Sequence, residues 1–264
     1  MNTPIGIFDS GVGGLTVLSA LKQKLPSEDF IYIGDNLHCP YGDKTKEELL
    51  VYTTRICKYF VSQGAKIIIL ACNTTSANVL NELQEKFPFV PIIGVIEPTV
   101  EEFAHLKKKN VLVMATHATV ESHLYKKLIR KKRWLAKITE IETPKLVPLI
   151  ESGKYKDGIG DTLHEYLDPY VGEIDSVILG CTHYPIILEQ IKDVLGDIDY
   201  VTSSEVMAEY IFDYIKMNSL KCRSLHSPTI SIYTTGNVRE FFDSSKDFFD
   251  YDALDIRYLD IFDR

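Results

Sequence analysis

The sequence has no apolar run long enough to cross a bilayer, no Cys-x-x-Cys pair and no excess of positive charge. The first absence excludes a transmembrane helix, which needs about 20 consecutive apolar residues. The second excludes a zinc ribbon. The five cysteines, at 39, 57, 72, 181 and 222, form an odd and widely spaced set that suggests free thiols and no disulfide framework. The third, a formal net charge of −8, argues against nucleic acid or an acidic membrane surface as the main partner. The basic runs Lys107-Lys-Lys109 and Arg130-Lys-Lys-Arg133 read as solvated helix ends. The first strand, Pro4 to Phe8, begins almost at the initiator and leaves no room for a signal peptide, so a cytoplasmic chain is expected.

Two cofactor signatures are also missing. The loop Asp9-Ser-Gly-Val-Gly-Gly14 follows a strand and invites a dinucleotide reading, but the last glycine of Gly-x-Gly-x-x-Gly, counted from Gly11, is replaced by Thr16. No lysine stands at a comparable strand end to form a Schiff base with pyridoxal phosphate. What remains in the loop is Asp9 and Ser10 at a strand's carboxyl end, with Asp9 either capping the next helix or serving a site.

What is present is one pattern written twice. Lys66-Ile-Ile-Ile-Leu-Ala-Cys72-Asn-Thr and Ser176-Val-Ile-Leu-Gly-Cys181-Thr-His are each a strand-length apolar run, a small residue, a cysteine and a polar pair, followed by helix-period sequence. Both cysteines are thus expected at strand-to-helix turns. The unpaired N–H groups of a helix start stabilise a thiolate or bind a carboxylate, and lower a thiol pKa by roughly one unit.

Strand and helix patterns alternate along the 264 residues. Strands are expected at 5–8, 30–33, 66–71, 90–96, 111–115, 137–141, 176–180, 199–202 and 229–233, with helices between them, including 75–86, 97–110, 117–131 and 157–171. Such alternation implies parallel sheets covered on both faces. The pattern restarts near 111, where Thr116 stands about where Asp9 and Ser10 stood. We therefore expect an α/β fold of two pseudo-symmetric doubly wound lobes, one from 1–97 plus 208–264 carrying Cys72, the other from 98–207 carrying Cys181. Ligands bind outside the carboxyl ends of parallel strands, so Asp9, Asp35, Cys72, Thr116 and Cys181 are candidates to share one cleft. Pro40-Tyr-Gly42 reads as pocket wall or plain turn, and Glu151 as site carboxylate or surface helix end. The acidic, aromatic segment from Asp243 to Arg264 has no assigned role.

Two thiols facing one small molecule from opposite sides suit inversion at a carbon: one removes a proton as the other returns one, and such acid–base help contributes about 10² to 10⁴ in rate. A two-lobed binding protein and a redox enzyme are alternatives, although sulfurs separated by a substrate cannot readily join.

Asp9-Ser-Gly-Val-Gly-Gly14, Pro40-Tyr-Gly42, Ala71-Cys-Asn-Thr74, Gly94-Val-Ile-Glu-Pro98 and Leu179-Gly-Cys-Thr-His-Tyr-Pro185 together resemble the motif set of the cofactor-independent glutamate racemases, over roughly residues 5–210. The resemblance implies interconversion of L- and D-glutamate, the latter a peptidoglycan building block, with no cofactor and no metal, in a homodimer. It implies Cys72 as base toward D-glutamate and Cys181 toward L-glutamate, assisted by Asp9 and His183, with Asp35 and Glu151 as further carboxylates near the site. It implies Asp9, Ser10, Asp35, Pro40, Tyr41, Gly42, Asn73, Thr74, Thr116, Thr182 and His183 as substrate-binding residues. Aspartate is the nearest alternative substrate. The chain departs from the family pattern at Asn36-Leu-His-Cys39, where a small residue and arginine are more common, and at Thr202-Ser-Ser204, where an Asp-Ser pair is common.

Overall fold

The computed structural model describes residues 3–156, 158–220, 227–251 and 255–262. Among the described residues there are ten parallel strands, the central ones rich in isoleucine, valine and leucine: β1 (Ile5–Asp9), β2 (Phe30–Gly34), β3 (Ile67–Leu70), β4 (Ile92–Gly94), β5 (Asn110–Ala115), β6 (Lys137–Glu142), β7 (Ser176–Gly180), β8 (Asp199–Thr202), β9 (Ile230–Thr234) and β10 (Ile256–Tyr258). Two sheets result, ordered β10-β9-β2-β1-β3-β4 and β6-β5-β7-β8. The four strands β2-β1-β3-β4 repeat in the second sheet as β6-β5-β7-β8. The expected two-lobed α/β fold is what the chain adopts, with β9 and β10 added at one edge of the first sheet.

Strand side chains alternate between sheet faces, and that alternation divides the core. Ile5 and Ile7 of β1 join Val111 and Val113 of β5 in one central apolar cluster. Phe8, Ile33 and Leu70 point to the other face of the first sheet, and Leu112, Met114 and Leu179 to the other face of the second. The central strands have no exposed face, which is why they read as continuous apolar runs. In register, Phe8 pairs with Ile33 and Leu70, so the residues after β1, β2 and β3 emerge together at one sheet end.

Several expected elements differ. The strand over 90–96 is only Ile92–Gly94, and the helix over 97–110 is Ile96–Leu106, so Asn110 already belongs to β5. The helix over 75–86 is two, Asn73–Asn78 and Leu80–Lys86. The Asn78 side chain donates to the Thr74 carbonyl at 2.9 Å and to the Ala118 carbonyl at 3.1 Å, competing with the helical ladder. The helix over 117–131 breaks at His123, in the left-handed region at φ 53°. There Ser122 Oγ donates to the Thr119 carbonyl and accepts the Leu124 N–H at 3.1 Å. The helix over 157–171 is confined to Gly160–Leu167 and a following turn, and residue 157 lies outside the described residues. β10 has no counterpart among the expected strands. Cys39, Cys57, Cys72 and Cys181 are free thiols, while Cys222 lies outside the described residues. Among the described residues no helix is long and apolar enough to cross a membrane.

Candidate active site

Cys72 follows β3 and Cys181 follows β7, the matching strands of the two sheets, and both line one cavity between the lobes. Its wall is Ser10, Pro40, Tyr41, Gly42, Cys72, Asn73, Thr74, Thr116, Val147, Cys181, Thr182 and His183. The cavity measures about 20 Å³, room for about one water. A ligand of amino-acid size therefore needs these walls to separate. An open cleft of about 550 Å³ adjoins it, sharing Pro40 and Val147 and bordered by Glu151.

Asp9, Asp35 and Glu151 are not on the cavity wall; each stands behind a residue that is. Asp9 accepts the Thr182 hydroxyl at 3.0 Å across the lobes and the Gly11 N–H at 3.1 Å. Asp35 accepts the Tyr41 hydroxyl at 2.5 Å. Glu151 Oε1 lies 2.5 Å from His183 Nε2 and accepts the Val12 N–H at 3.1 Å. The local reading of Glu151 as a helix end holds for its backbone, since the helix Leu146–Glu151 stops there, but its carboxylate turns inward. The glycines of the first loop permit this approach. A Cβ on Gly13 would lie 2.6 Å from His183 Nδ1 and from Thr182 Oγ1, and a Cβ on Gly11 would overlap Glu151 Oε1.

Hydroxyl and amide groups tie the opposite flank. Thr74 Oγ1 lies 2.9 Å from Thr116 Oγ1, which lies 3.0 Å from Thr119 Oγ1. The Tyr125 hydroxyl donates to Asn73 Oδ1 at 2.7 Å. Asn73 Nδ2 is buried with no hydrogen-bond partner among the described residues, a donor at the cavity wall. Val147, Thr119 and Tyr125 were not among the sequence candidates. Val147 sits in the apolar segment singled out only for Glu151, and the other two carry no local signal.

The family profile described as Asp/Glu/Hydantoin racemase matches residues 16–211. The chain belongs to this family. It is 37% identical over 263 residues to the glutamate racemase of Lactobacillus acidophilus, covering 98% of each chain. Among solved structures it is similar to glutamate racemase from Francisella tularensis in complex with D-glutamate, at 32% identity and TM-score 0.90, covering 100% of this chain and 99% of that one. Glutamate racemase isoform RacE1 from Bacillus anthracis gives 31% identity and TM-score 0.90, with 98% of each chain covered.

The electrostatics of this racemase-family site are unequal on its two sides. Burial, then the Asp9 charge, push the Cys72 thiol up to about 11, against the opposing pull of the Thr75 hydroxyl and N–H and the Ser10 hydroxyl. The helix-start N–H of Thr75 does pull the thiol down, as expected, but the net direction is upward. Cys72 does precede the helix Asn73–Asn78, but complete burial beside a carboxylate outweighs one short helix end. Cys181 is followed by a turn at Tyr184–Ile187, with the regular helix beginning only at Leu188. Burial pushes Asp9 up to about 6, resisted mainly by His183 and the Gly11 N–H. Burial is the largest single influence on His183 and lowers it. The Cys181 and Glu151 hydrogen bonds and charges together outweigh it and raise His183 well above its ordinary value. At neutral pH the Cys72 thiol is protonated, Asp9 is ionised, and a charged imidazole stands 3.6 Å from Cys181 Sγ through Nδ1. Among the described residues no group of three or more His, Cys, Asp or Glu side chains is arranged to hold a metal ion.

Proposed function

We propose that this chain interconverts L- and D-glutamate by proton transfer at Cα between Cys72 and Cys181, without a resident cofactor. The observation that carries the reading is the shared cavity: matching strands of two lobes deliver two cysteines to one cavity lined by the motif residues. The named relatives support glutamate as the substrate.

From D-glutamate, the Cys72 thiolate takes the Cα proton from one face and the Cys181 thiol gives a proton to the other. The product is L-glutamate, with the proton inventory of the two sulfurs exchanged. The resting Cys72 proton must leave first, and the Asp9 carboxylate, ionised above pH about 6, is the base whose charge already acts on that sulfur. His183, which the Cys181 and Glu151 hydrogen bonds and charges raise well above its ordinary value, serves as proton donor on the Cys181 side. Asn73 Nδ2, the hydroxyls of Ser10, Thr74, Thr116 and Thr182, and the backbone of Pro40, Tyr41 and Gly42 supply polar contacts for the substrate's charged groups. Asp35 acts through Tyr41. We further take 1–97 plus 208–264 and 98–207 as the two lobes, and the working form as a cytoplasmic homodimer supplying D-glutamate for peptidoglycan.

The test is a polarimetric or coupled assay of the purified chain with each glutamate enantiomer and no added cofactor, with aspartate in parallel. Racemisation of glutamate that survives chelators and carbonyl reagents is expected. Deuterium from D₂O should appear in the product enantiomer at Cα. Binding without exchange would mark a binding protein, faster turnover of aspartate would move the substrate, and loss with either reagent would refute the cofactor-free mechanism.

A further inference from the structure

We propose that His38 is a positioning residue for the reaction proposed above: by fixing the Asp35 carboxylate it holds Tyr41, and with it the Pro40–Gly42 wall, at the cavity. His38 belongs to the loop where the chain departs from the family's usual residues, and it is not on the cavity wall.

Asp35 is fully buried and accepts three side-chain donors. The Tyr41 hydroxyl reaches Oδ2 at 2.5 Å, the Thr235 hydroxyl reaches Oδ1 at 2.5 Å, and His38 Nδ1 lies 3.0 and 2.9 Å from Oδ1 and Oδ2. Tyr41 is the only one of the three donors that also faces the cavity. His38 is the one donor of the three that reaches both oxygens; without it the carboxylate plane is held only by one hydroxyl on each oxygen, and Tyr41 shifts with it.

The imidazole is itself clamped. Its ring stacks on Tyr52 with centroids 3.8 Å apart at 16°, and meets the Phe262 edge at 4.6 Å and 77°. Phe262 is held in turn by Arg55, whose Nη1 donates to the Phe262 carbonyl at 2.6 Å. The C-terminal segment, to which sequence alone assigned no role, thus closes over the histidine that braces the loop. A sandwiched ring with its Nδ1 on a carboxylate has little rotameric freedom, and hydrogen bonds to a charged group are the stronger kind.

The test compares His38→Phe, which keeps a ring between Tyr52 and Phe262 but loses the donor, with His38→Asn, whose Nδ2 can stand where Nδ1 stood. We expect His38→Phe to raise KM for both enantiomers about tenfold while kcat stays within about threefold, and His38→Asn to return KM to within about threefold of wild type. Thr235→Val, which strips a donor from the same carboxylate on the other side, should raise KM in the same way and serves if His38→Phe does not fold. Tyr41 and Gly42 amide resonances, read without substrate, should shift in His38→Phe and Thr235→Val and stay near wild type in His38→Asn. That readout stands whether or not glutamate is the substrate, so an inactive wild-type chain would sink the glutamate reading and not this one. An unchanged KM, an equal rise in His38→Phe and His38→Asn, a fall confined to kcat, or unmoved resonances would each overturn the role of His38.

Discussion

The two lobes share a strand order and differ in the residues at their strand ends. At the end of β1 stand Asp9 and Ser10, after the matching β5 stands Thr116; after β3 stands Cys72-Asn-Thr74, after β7 stands Cys181-Thr-His183. The backbone repeats and the chemistry does not. A carboxylate sits on one side and an imidazole on the other: Asp9 accepts the Thr182 hydroxyl across the cleft, while His183 is held by Glu151 of its own lobe and lies close to Gly13 of the other. A symmetric scaffold thereby presents two sulfurs in different states of readiness, one a buried thiol beside an anion, the other beside a cation. Inversion at a carbon requires that inequality, because one sulfur takes a proton while the other gives one.

The largest expected effect comes from removing either sulfur. Cys72→Ser and Cys181→Ser should each cut racemisation by about 10³-fold or more, within the range of acid–base catalysis plus the weaker basicity match of a hydroxyl. Enantiomers have equal free energy, so kcat/KM stays equal in the two directions for every variant and cannot reveal which sulfur serves which face. Elimination from a glutamate analogue with a leaving group at Cβ is irreversible and can. One enantiomer should eliminate in Cys72→Ser and the other in Cys181→Ser; equal survival of both in both variants would erase the difference between lobes.

Next is Asp9. Its carboxyl is pushed up to about 6, so it is protonated below that pH and cannot accept a proton from Cys72. The free-enzyme profile of kcat/KM should fall about tenfold per unit below pH 6 in both directions, and Asp9→Asn should be slower and lose that limb. The stability effect has a definite sign. The folded value lies above the ordinary 3.8, so the stabilisation from a protonated Asp9 is full below about 4 and is lost as pH rises through about 6. Thermal melts should therefore show Asp9→Asn gaining on wild type between pH 4 and 7. An Asp9→Asn variant that loses ground to wild type as pH rises over that interval would refute the assignment.

The smallest effect lies on the hydroxyl flank. Thr116→Val removes one hydroxyl partner from each of Thr74 and Thr119 and leaves them their own longer contact at 3.4 Å, a cost of about 1 kcal/mol in urea unfolding. Elimination in either sulfur variant should keep its preferred enantiomer when Thr116→Val is added. A switch of preference would mean that Thr116, and not the Asp9–His183 difference, sets the asymmetry.

Much of the fold and of the site is written locally. The two apolar runs ending in Cys72 and Cys181 carry strand period, length and a small residue before each thiol, and these properties act over a few residues. Their repetition is enough to announce two lobes without any tertiary contact. The helix breaks at Val79 and His123 were not legible, because each depends on a side chain capturing a carbonyl or N–H, Asn78 at Thr74 and Ala118, Ser122 at Thr119 and Leu124. The reversed direction at Cys72 was hidden for a related reason. A helix start can be read from sequence, whereas total burial and a carboxylate arriving from another strand cannot.

By itself the sequence determined the strand-ending cysteines, the doubling of the α/β unit and the polar residues flanking each thiol, since pattern and propensity are properties of neighbours in the chain. Only the tertiary structure decided that Asp9, Asp35 and Glu151 stand behind the cavity wall, that Val147 completes it, and that the C-terminal Phe262 reaches back to His38. Those facts arise from groups that meet across tens to hundreds of residues, where burial and charge are set by whatever folds against them.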